Sequence, residues 1–187
     1  MTLDTIFADF DHDPTFDKPA PQPKPTIHDA HDQPASFRGQ FTDAASALRY
    51  ISGGNATVTL QSKKTGARFT FSVRAPTDKV TGKRDGSGTL FVGLLNGPDN
   101  ETNYKYLGRI TAEGHFWIGR KNPRPGDLDR NAPSAKAFDW TWKNLNRGIF
   151  GDQLEIWHES KCGRCGRKLT VPASIASGFG PECINHI

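Results

Sequence analysis

Residues 56–74 read Ala56-Thr-Val-Thr-Leu-Gln-Ser-Lys-Lys-Thr-Gly-Ala-Arg-Phe-Thr-Phe-Ser-Val-Arg74, and this stretch contains two runs in which apolar and polar side chains alternate. Alternation with a period of two residues is typical of a β-strand that buries one face. The two runs are joined by Lys63-Lys-Thr-Gly66, whose composition is that of a tight turn. The stretch therefore predicts a β-hairpin.

More strands are predicted on the C-terminal side of the hairpin. The run Thr89-Leu-Phe-Val-Gly-Leu-Leu95 is almost continuously apolar, which predicts a buried strand. Residues 76–88 and 120–126 lack a core-forming pattern and are rich in glycine, proline and basic residues, so we expect basic loops there. Further strands are predicted at residues 104–110, 115–120 and 153–157.

Two helices flank these strands in the sequence. The first follows a cap at Thr42 or Asp43 and ends at Gly53, and the second starts near Pro133 and ends by Gly148. The order of elements predicts an α+β body over residues 37–157, in which two helices cover an antiparallel β-meander of about five to six strands. A small zinc ribbon over residues 158–187 is predicted to follow it.

The charges divide the chain into an acidic start and a basic remainder. Residues 1–36 hold seven aspartates and two lysines, a formal charge of −5, whereas the other 151 residues carry 22 basic and 13 acidic side chains, a charge of +9. No apolar run approaches the roughly 20 residues that span a bilayer. Because the start also lacks the basic and apolar regions of a signal peptide, we expect a cytoplasmic protein, in the host cell if a phage encodes it.

The acidic start is predicted to be a disordered, proline-rich tail with one distinct feature. It contains six prolines and few apolar residues, which disfavours a packed core. However, Leu3, Ile6, Phe7 and Phe10 have helical spacing and lie among aspartates, a pattern typical of a short helix that docks in a partner's groove. The alternatives are that this stretch packs on the chain's own body, or that the tail masks the basic surface.

The three cysteines of the chain are clustered near its end. Cys162 and Cys165 have the Cys-x2-Cys spacing of a zinc knuckle, and Cys183 supplies a third thiolate. An odd number of clustered cysteines leaves a thiol over in any disulfide framework, so a metal site is the favoured interpretation. The fourth ligand of a tetrahedral Zn²⁺ site is predicted to be His158, with His186 as the alternative.

The same residues resemble a known family. Cys165-Gly-Arg-Lys-Leu-Thr-Val-Pro-Ala-Ser-Ile175, followed by Gly178-Phe-Gly-Pro-Glu-Cys183, is similar to a small zinc-ribbon domain of unknown function found in phage, plasmid and bacterial proteins. The body, from Phe41 to Phe138, also resembles longer proteins of that kind. The resemblance implies a zinc site and an origin in a phage or mobile element, but it implies no activity.

No catalytic motif is found in the sequence. A glycine-rich phosphate loop, Gly-x-Ser-x-Gly and His-Glu-x-x-His are all missing. A deaminase signature requires His-x-Glu before Pro-Cys-x-x-Cys, and His158-Glu159 and Cys162 do not fit it. A zinc ion with four protein ligands also leaves no position for a reactive water. We therefore expect a non-enzymatic protein.

The first functional hypothesis is nucleic-acid binding, with DNA or RNA as the ligand. Basic residues on turns and loops, beside Tyr104, Tyr106 and Trp117, can contact phosphates while bases stack on the aromatic rings. The candidate basic residues are Lys63, Lys64, Arg68, Lys83, Arg84, Arg120, Lys121, Arg124, Arg164 and Arg167. The alternative hypothesis is a phage-encoded inhibitor or adaptor that binds a host defence protein, itself a nucleic-acid-binding protein, through the tail.

Overall fold

Seven strands form a single antiparallel sheet in the computed structural model, which describes residues 39–187. The strand order is β1-β7-β2-β3-β4-β5-β6. The strands are β1 (Gln40–Phe41), β2 (Asn55–Ser62), β3 (Arg68–Arg74), β4 (Leu90–Leu95), β5 (Tyr104–Ile110), β6 (Phe116–Ile118) and β7 (Leu154–His158). The helices of the described residues are α1 (Ala44–Ser52), α2 (Pro133–Asn146) and two short ones, α3 (Pro172–Ser177) and α4 (Pro181–Ile184).

The predicted hairpin is formed by β2 and β3. Val58 pairs with Phe71, and Leu60 pairs with Phe69, so the apolar side chains of both strands share one face of the sheet. The polar residues Thr59 and Thr70 are paired on the other face, where their hydroxyl oxygens lie 2.8 Å apart. The alternation in the sequence thus gives this hairpin one apolar and one polar face.

The sheet has more strands than the five to six predicted, and it is a meander only from β2 to β6. The additional strand is β1, whose two residues are too short to show a pattern and are ordered by pairing with β7, as in Phe41 with Ile156. On its other edge β7 pairs with β2, as in Ile156 with Leu60. Among the strands of residues 39–187, the last therefore lies between the first two.

Helices α1 and α2 both pack on the apolar face. Helix α1 begins after Asp43, whose side chain accepts a hydrogen bond of 2.8 Å from the Ser46 amide, and α2 has Pro133 in its first turn. The ring of Phe138 in α2 lies 4.9 Å from the rings of both Phe71 and Phe116. The α+β architecture is confirmed. Neither α1 nor α2 packs on the opposite face of the sheet, which is here called the open face.

The C-terminal segment continues from β7 and packs on α1. Cys162, Leu169 and Phe179 are buried in the same cluster as the body residues Phe41 and Tyr50. The Tyr50 hydroxyl donates a hydrogen bond of 3.1 Å to the Lys161 carbonyl. Buried side chains from both sides of residue 158 belong to one cluster, so no separate core marks a boundary there. The division of the chain at residue 158 stays a prediction.

The predicted tail lies outside the described residues, and so do the docking residues Leu3, Ile6, Phe7 and Phe10. Within residues 39–187, none of the helices has the length and apolar character that a membrane span requires.

Candidate metal centre and open sheet face

The three cysteines come together in the C-terminal segment. Their sulfur atoms all lie within 4.8 Å of one another; Cys162 is buried, Cys165 is exposed and Cys183 is intermediate. The loop from Cys162 to Cys165 is closed by a hydrogen bond of 2.8 Å from the Gly166 amide to the Cys162 carbonyl. Cys183 is delivered from the other side by α4. The short spacing between Cys162 and Cys165 and the turn before Cys183 thus bring the three sulfur atoms together.

Two glycines allow this loop to approach α1. A Cβ atom on Gly163 would lie 2.8 Å from the Tyr50 ring, and one on Gly178 would collide with the same ring. Gly178 also has a φ of +76°, which L-residues other than glycine rarely adopt. The Gly163 amide donates a hydrogen bond of 2.9 Å to the Gly178 carbonyl, so the two glycine segments are joined across the face of Tyr50.

The electrostatic surroundings of the sulfurs suit a cation. Burial acts to raise the pKa of Cys162, but hydrogen bonds from the backbone amides of Cys165, Gly180 and Arg164 outweigh it and lower that pKa to about 7. Burial and the two neighbouring thiols raise the pKa of Cys183 to about 11. Three sulfurs this close resist simultaneous ionisation because thiolates repel one another, and a divalent cation between them removes that repulsion.

The three cysteines can supply three of the four ligands of a tetrahedral zinc site. Thiolates are soft ligands that bind zinc at about 2.3 Å in a tetrahedral arrangement. The sulfurs need only a small inward movement to surround one ion. Among the described residues, the group of neighbouring ligand atoms consists of these three sulfurs and includes no histidine. The cysteines can therefore hold a metal ion, with zinc as the ion that their chemistry favours.

His158 occupies a packed position next to this cluster. Its ring centroid lies 4.9 Å from that of Phe41 and 5.0 Å from that of Tyr50, and its Nδ1 atom accepts a hydrogen bond of 3.2 Å from the Ser160 amide. A neutral imidazole that accepts at Nδ1 carries its hydrogen on Nε2, which then has no lone pair for a metal. The Nε2 atom is buried and has no well-formed hydrogen bond. The polar group near it is the backbone carbonyl of Ile175.

His186, the alternative fourth ligand, is exposed three residues after Cys183. Its backbone amide donates a hydrogen bond of 3.2 Å to the Cys183 carbonyl. The sequence-based choice between His158 and His186 stays a prediction, since the structure gathers the sulfurs without either imidazole.

One comparison with known proteins gives a match, and it falls on this segment. Residues 156–187 match a Family of unknown function (DUF6011). The matched stretch runs from the end of β7 through all three cysteines and leaves out most of the sheet. Together with the cysteine cluster, it fits a C-terminal zinc-binding domain of unknown function. Neither the curated proteins nor the solved structures contain a match to the chain.

The open face carries a row of alternating arginines and aromatic rings, which we call the arginine–aromatic row. Arg74 of β3 pairs with Phe91 of β4, Phe91 pairs with Arg109 of β5, and Arg109 pairs with Trp117 of β6. Residues paired in this way lie side by side on one face, on strands about 4.8 Å apart. Trp117 is 61% exposed and Phe91 is 42% exposed. The row thus offers stacking surfaces and cations across four strands.

Further residues extend this surface. The Tyr106 ring lies 6.3 Å from that of Phe91, and the Arg120 guanidinium lies 4.7 Å above the centre of Tyr106. Arg120 also pairs with Asp127 at 3.4 Å. On the other half of the face, Trp157 of β7 is paired with Thr59, and Arg68 is paired with Gln61.

The predicted nucleic-acid-binding residues are spread over several parts of the fold. Two of them, Arg68 and Arg120, belong to or border the open face. Arg84 instead holds the β3–β4 loop in place, because its guanidinium donates to the carbonyls of Gly53 at 2.7 Å and Arg164 at 2.6 Å. The remaining residues lie on the β2–β3 turn (Lys63, Lys64), the β3–β4 loop (Lys83), the segment after β6 (Lys121, Arg124) and the cysteine loop (Arg164, Arg167).

Phe91 and Trp157 were not selected by sequence reasoning. Phe91 lies inside an apolar run that was interpreted as wholly buried, and Trp157 lies in a short strand beside the cysteines. The sequence holds no signal for Phe91, because its neighbours Leu90, Val92 and Leu94 are apolar as well, and only the structure shows that these three are buried on the opposite side of the strand.

Proposed function

We propose that this chain is a non-enzymatic protein that binds single-stranded nucleic acid across the open face, with a zinc ion that stabilises its C-terminal segment. The observation that carries the proposal is the arginine–aromatic row of Arg74, Phe91, Arg109 and Trp117. Exposed aromatic rings beside cationic side chains suit single-stranded nucleic acid. Its unpaired bases can stack on the rings, and its phosphates are attracted to the cations.

The spacing of the row supports this ligand. Phe91 and Trp117 are two strands apart, which separates them by about 9.6 Å across the sheet. Two bases can therefore stack on the two rings while Arg109, between them, contacts the intervening phosphate. The excess positive charge of residues 37–187 adds sequence-independent attraction for any polyanion. Stacking contributes about 1–3 kcal/mol per base.

In this proposal, zinc has an architectural role. Bound by Cys162, Cys165 and Cys183, with His158 or His186 as the proposed fourth ligand, it would fix the loop that packs on Tyr50. That loop also accepts a hydrogen bond of 2.7 Å from the amide of Asn55, the first residue of β2. A bound zinc ion would therefore stabilise the contact between the cysteine segment and the start of β2.

The experiment is fluorescence anisotropy with a labelled oligothymidine and a labelled oligouridine of equal length. We expect Trp117→Ala and Arg109→Ala to weaken binding by roughly tenfold each, since each removes one stacking or phosphate contact. The matched controls are Ile149→Ala, an exposed apolar residue between α2 and β7, and Arg49→Ala, an exposed arginine on α1. Both controls are expected to bind like the unaltered protein.

Three outcomes would contradict the proposal. The first is the lack of binding to either oligonucleotide at low salt. The second is an equal effect of the Arg49 and Arg109 substitutions, which would indicate diffuse attraction to a basic protein rather than a site. The third is better binding of duplex than of single strands, which would exclude stacking on the row as the basis of affinity.

The second candidate function, a phage- or mobile-element-encoded inhibitor or adaptor, depends on the tail. It is favoured by the apolar spacing of Leu3, Ile6, Phe7 and Phe10 among aspartates. The test is a pull-down from host lysate with nuclease, using the full chain and a chain that lacks residues 1–36. A single stoichiometric protein that survives nuclease and depends on the tail would support this candidate. Higher oligonucleotide affinity after deletion would instead support a tail that masks the basic surface.

A further inference from the structure

A polar cleft lies at one end of the arginine–aromatic row. Its volume is about 220 Å³, and it is formed where the β4–β5 loop and the segment after β7 meet over the sheet. Arg74 belongs both to the row and to the wall of this cleft. The main polar residues around it are Asn55, Thr57, Arg74, Glu101, Glu159 and Lys161.

The charges in the cleft are balanced. The Lys161 ammonium lies 3.6 Å from a carboxylate oxygen of Glu101 and 3.5 Å from one of Glu159. The Arg74 guanidinium is held by the Thr57 hydroxyl at 3.0 Å and by the Ala56 carbonyl. Two cations therefore face two anions. A phosphate gains little from such a site, whereas a neutral ring with both donors and acceptors can satisfy it.

The Tyr104 hydroxyl lies near Thr57, Arg74 and Glu159 but does not line the cleft. It is buried, and residues 39–187 give it no hydrogen bond of good geometry. Burial raises the pKa of this phenol, and the nearby Glu159 carboxylate acts in the same direction while Arg74 acts against it.

We propose that the cleft holds one unpaired guanine of the strand that binds the open face. The inference rests on the proposed function, because the row brings the strand to Arg74 and the cleft receives the next base. Guanine presents two adjacent N–H donors, at N1 and N2, which match the two oxygens of the Glu159 carboxylate. Its O6 atom accepts from the Lys161 ammonium. Adenine, cytosine and uracil lack this pair of adjacent donors.

The test uses oligothymidines of one length that carry a single guanine, adenine, cytosine or inosine at a central position. We expect the guanine oligonucleotide to bind the full chain roughly tenfold more tightly than the others, as for one good bidentate base contact. Inosine lacks the N2 amino group and is expected to lose most of the gain. This comparison needs no protein variant, so it does not depend on whether a variant folds.

Variants then locate the effect. Glu159→Gln is expected to reduce the ratio of guanine to adenine affinity to near one, because an amide cannot accept two N–H donors in the same way. Glu155→Gln is the matched control: it removes the same charge from β7 but lies outside the cleft, so the ratio should persist. Thermal unfolding confirms that each variant is folded.

The outcomes distinguish a failure of the guanine cleft from a failure of the proposed nucleic-acid binding. Equal affinity for all four bases, or a preference for another base, would overturn the guanine cleft and leave the proposed function in place. A guanine preference that survives Glu159→Gln would overturn the assignment of the cleft. Failure of every oligonucleotide to bind would overturn the proposed function first, and the cleft with it.

Discussion

His158 combines burial, aromatic packing and a hydrogen bond in one side chain. Burial lowers the pKa of this imidazole to about 4, from an ordinary value near 6.5, and the Ile175 carbonyl only partly opposes the shift. The neutral ring fits between Phe41 and Tyr50, whereas a charged ring would lose its hydration without gaining a partner. The sequence marks this residue for its spacing to Cys162 and does not reveal the packing.

This packing predicts a pH dependence of stability. Because the folded-state pKa is below the unfolded-state pKa, the unfolded chain binds a proton first as the pH falls. The stabilisation from His158 is therefore complete above about pH 6.5 and decreases as the pH falls to about 4, by at most about 3 kcal/mol. Urea denaturation from pH 7.5 to pH 4.5 measures it.

The control for this prediction is His158→Phe, which keeps an aromatic ring and removes the titration. Its stability should decrease less over the same pH range, and the difference between the two proteins removes any common effect of acid on zinc binding. With Nε2 carrying the hydrogen, we also expect the variant to retain zinc. An identical pH response in both proteins would contradict the pKa argument, and loss of zinc from the variant would support His158 as the fourth ligand.

Among single residues, the cysteines were predictable and Phe91 was not. The Cys-x2-Cys spacing of Cys162 and Cys165 indicates a metal site locally, because a zinc knuckle is formed by neighbouring residues, and Cys183 follows in the same segment as the third thiol. The outward direction of Phe91 depends on which face of β4 the helices cover, and that is decided by contacts far apart in the sequence. A continuous apolar run conceals such information.

At the scale of elements, the contact between α1 and the cysteine segment depends on glycine. Gly178→Ala would place a methyl group against Tyr50 and force alanine to a φ of +76°. We expect a loss of about 2 kcal/mol or more in the free energy of unfolding, together with weaker zinc binding, because the displaced loop carries Cys183. Urea denaturation and a competitive zinc titration measure the two effects.

Gly180→Ala is the matched control for that substitution. Gly180 lies two residues further on, has a φ of −70°, and would place its Cβ atom in open space. Its stability should change by no more than about 0.5 kcal/mol. Equal effects of the two alanines would show that backbone flexibility of the segment, rather than contact with Tyr50, is what matters.

The sequence predicted most elements but not their arrangement. The hairpin of β2 and β3, the start of α1 after Asp43 and the start of α2 at Pro133 follow from local patterns and caps. The position of β7 between β1 and β2 does not, since Phe41 and Ile156 are paired across more than a hundred residues. Local chemistry specifies a strand; its neighbours are chosen by the packing of the whole sheet.

For the molecule as a whole, the continuous core predicts cooperative dependence on zinc. Cys162, Leu169 and Phe179 pack with residues of α1 and the sheet, so the metal segment and the body should unfold together. We expect chelation to lower the melting temperature and to leave one transition, since a ligand bound to the folded state stabilises all of it.

The indole N–H signal of Trp142 provides an independent observation of this coupling. That group donates a hydrogen bond of 2.8 Å to the Gly114 carbonyl, away from the cysteines. In NMR spectra the signal should broaden or disappear at the same temperature as signals from Phe179. If Trp142 stays native after chelation while Phe179 becomes disordered, the two parts are separate folding units, as the boundary at residue 158 predicts.

The central position of β7 also has a consequence for how the protein is made. A ribosome delivers the chain from its N-terminus, so β1 and β2 are synthesised long before the strand that lies between them. Until residues 154–158 emerge, the facing edges of β1 and β2 have no partner, and the nascent sheet is a site for chaperones or for misassembly. The cysteines follow β7 directly, which makes metal capture and sheet closure neighbouring events during synthesis.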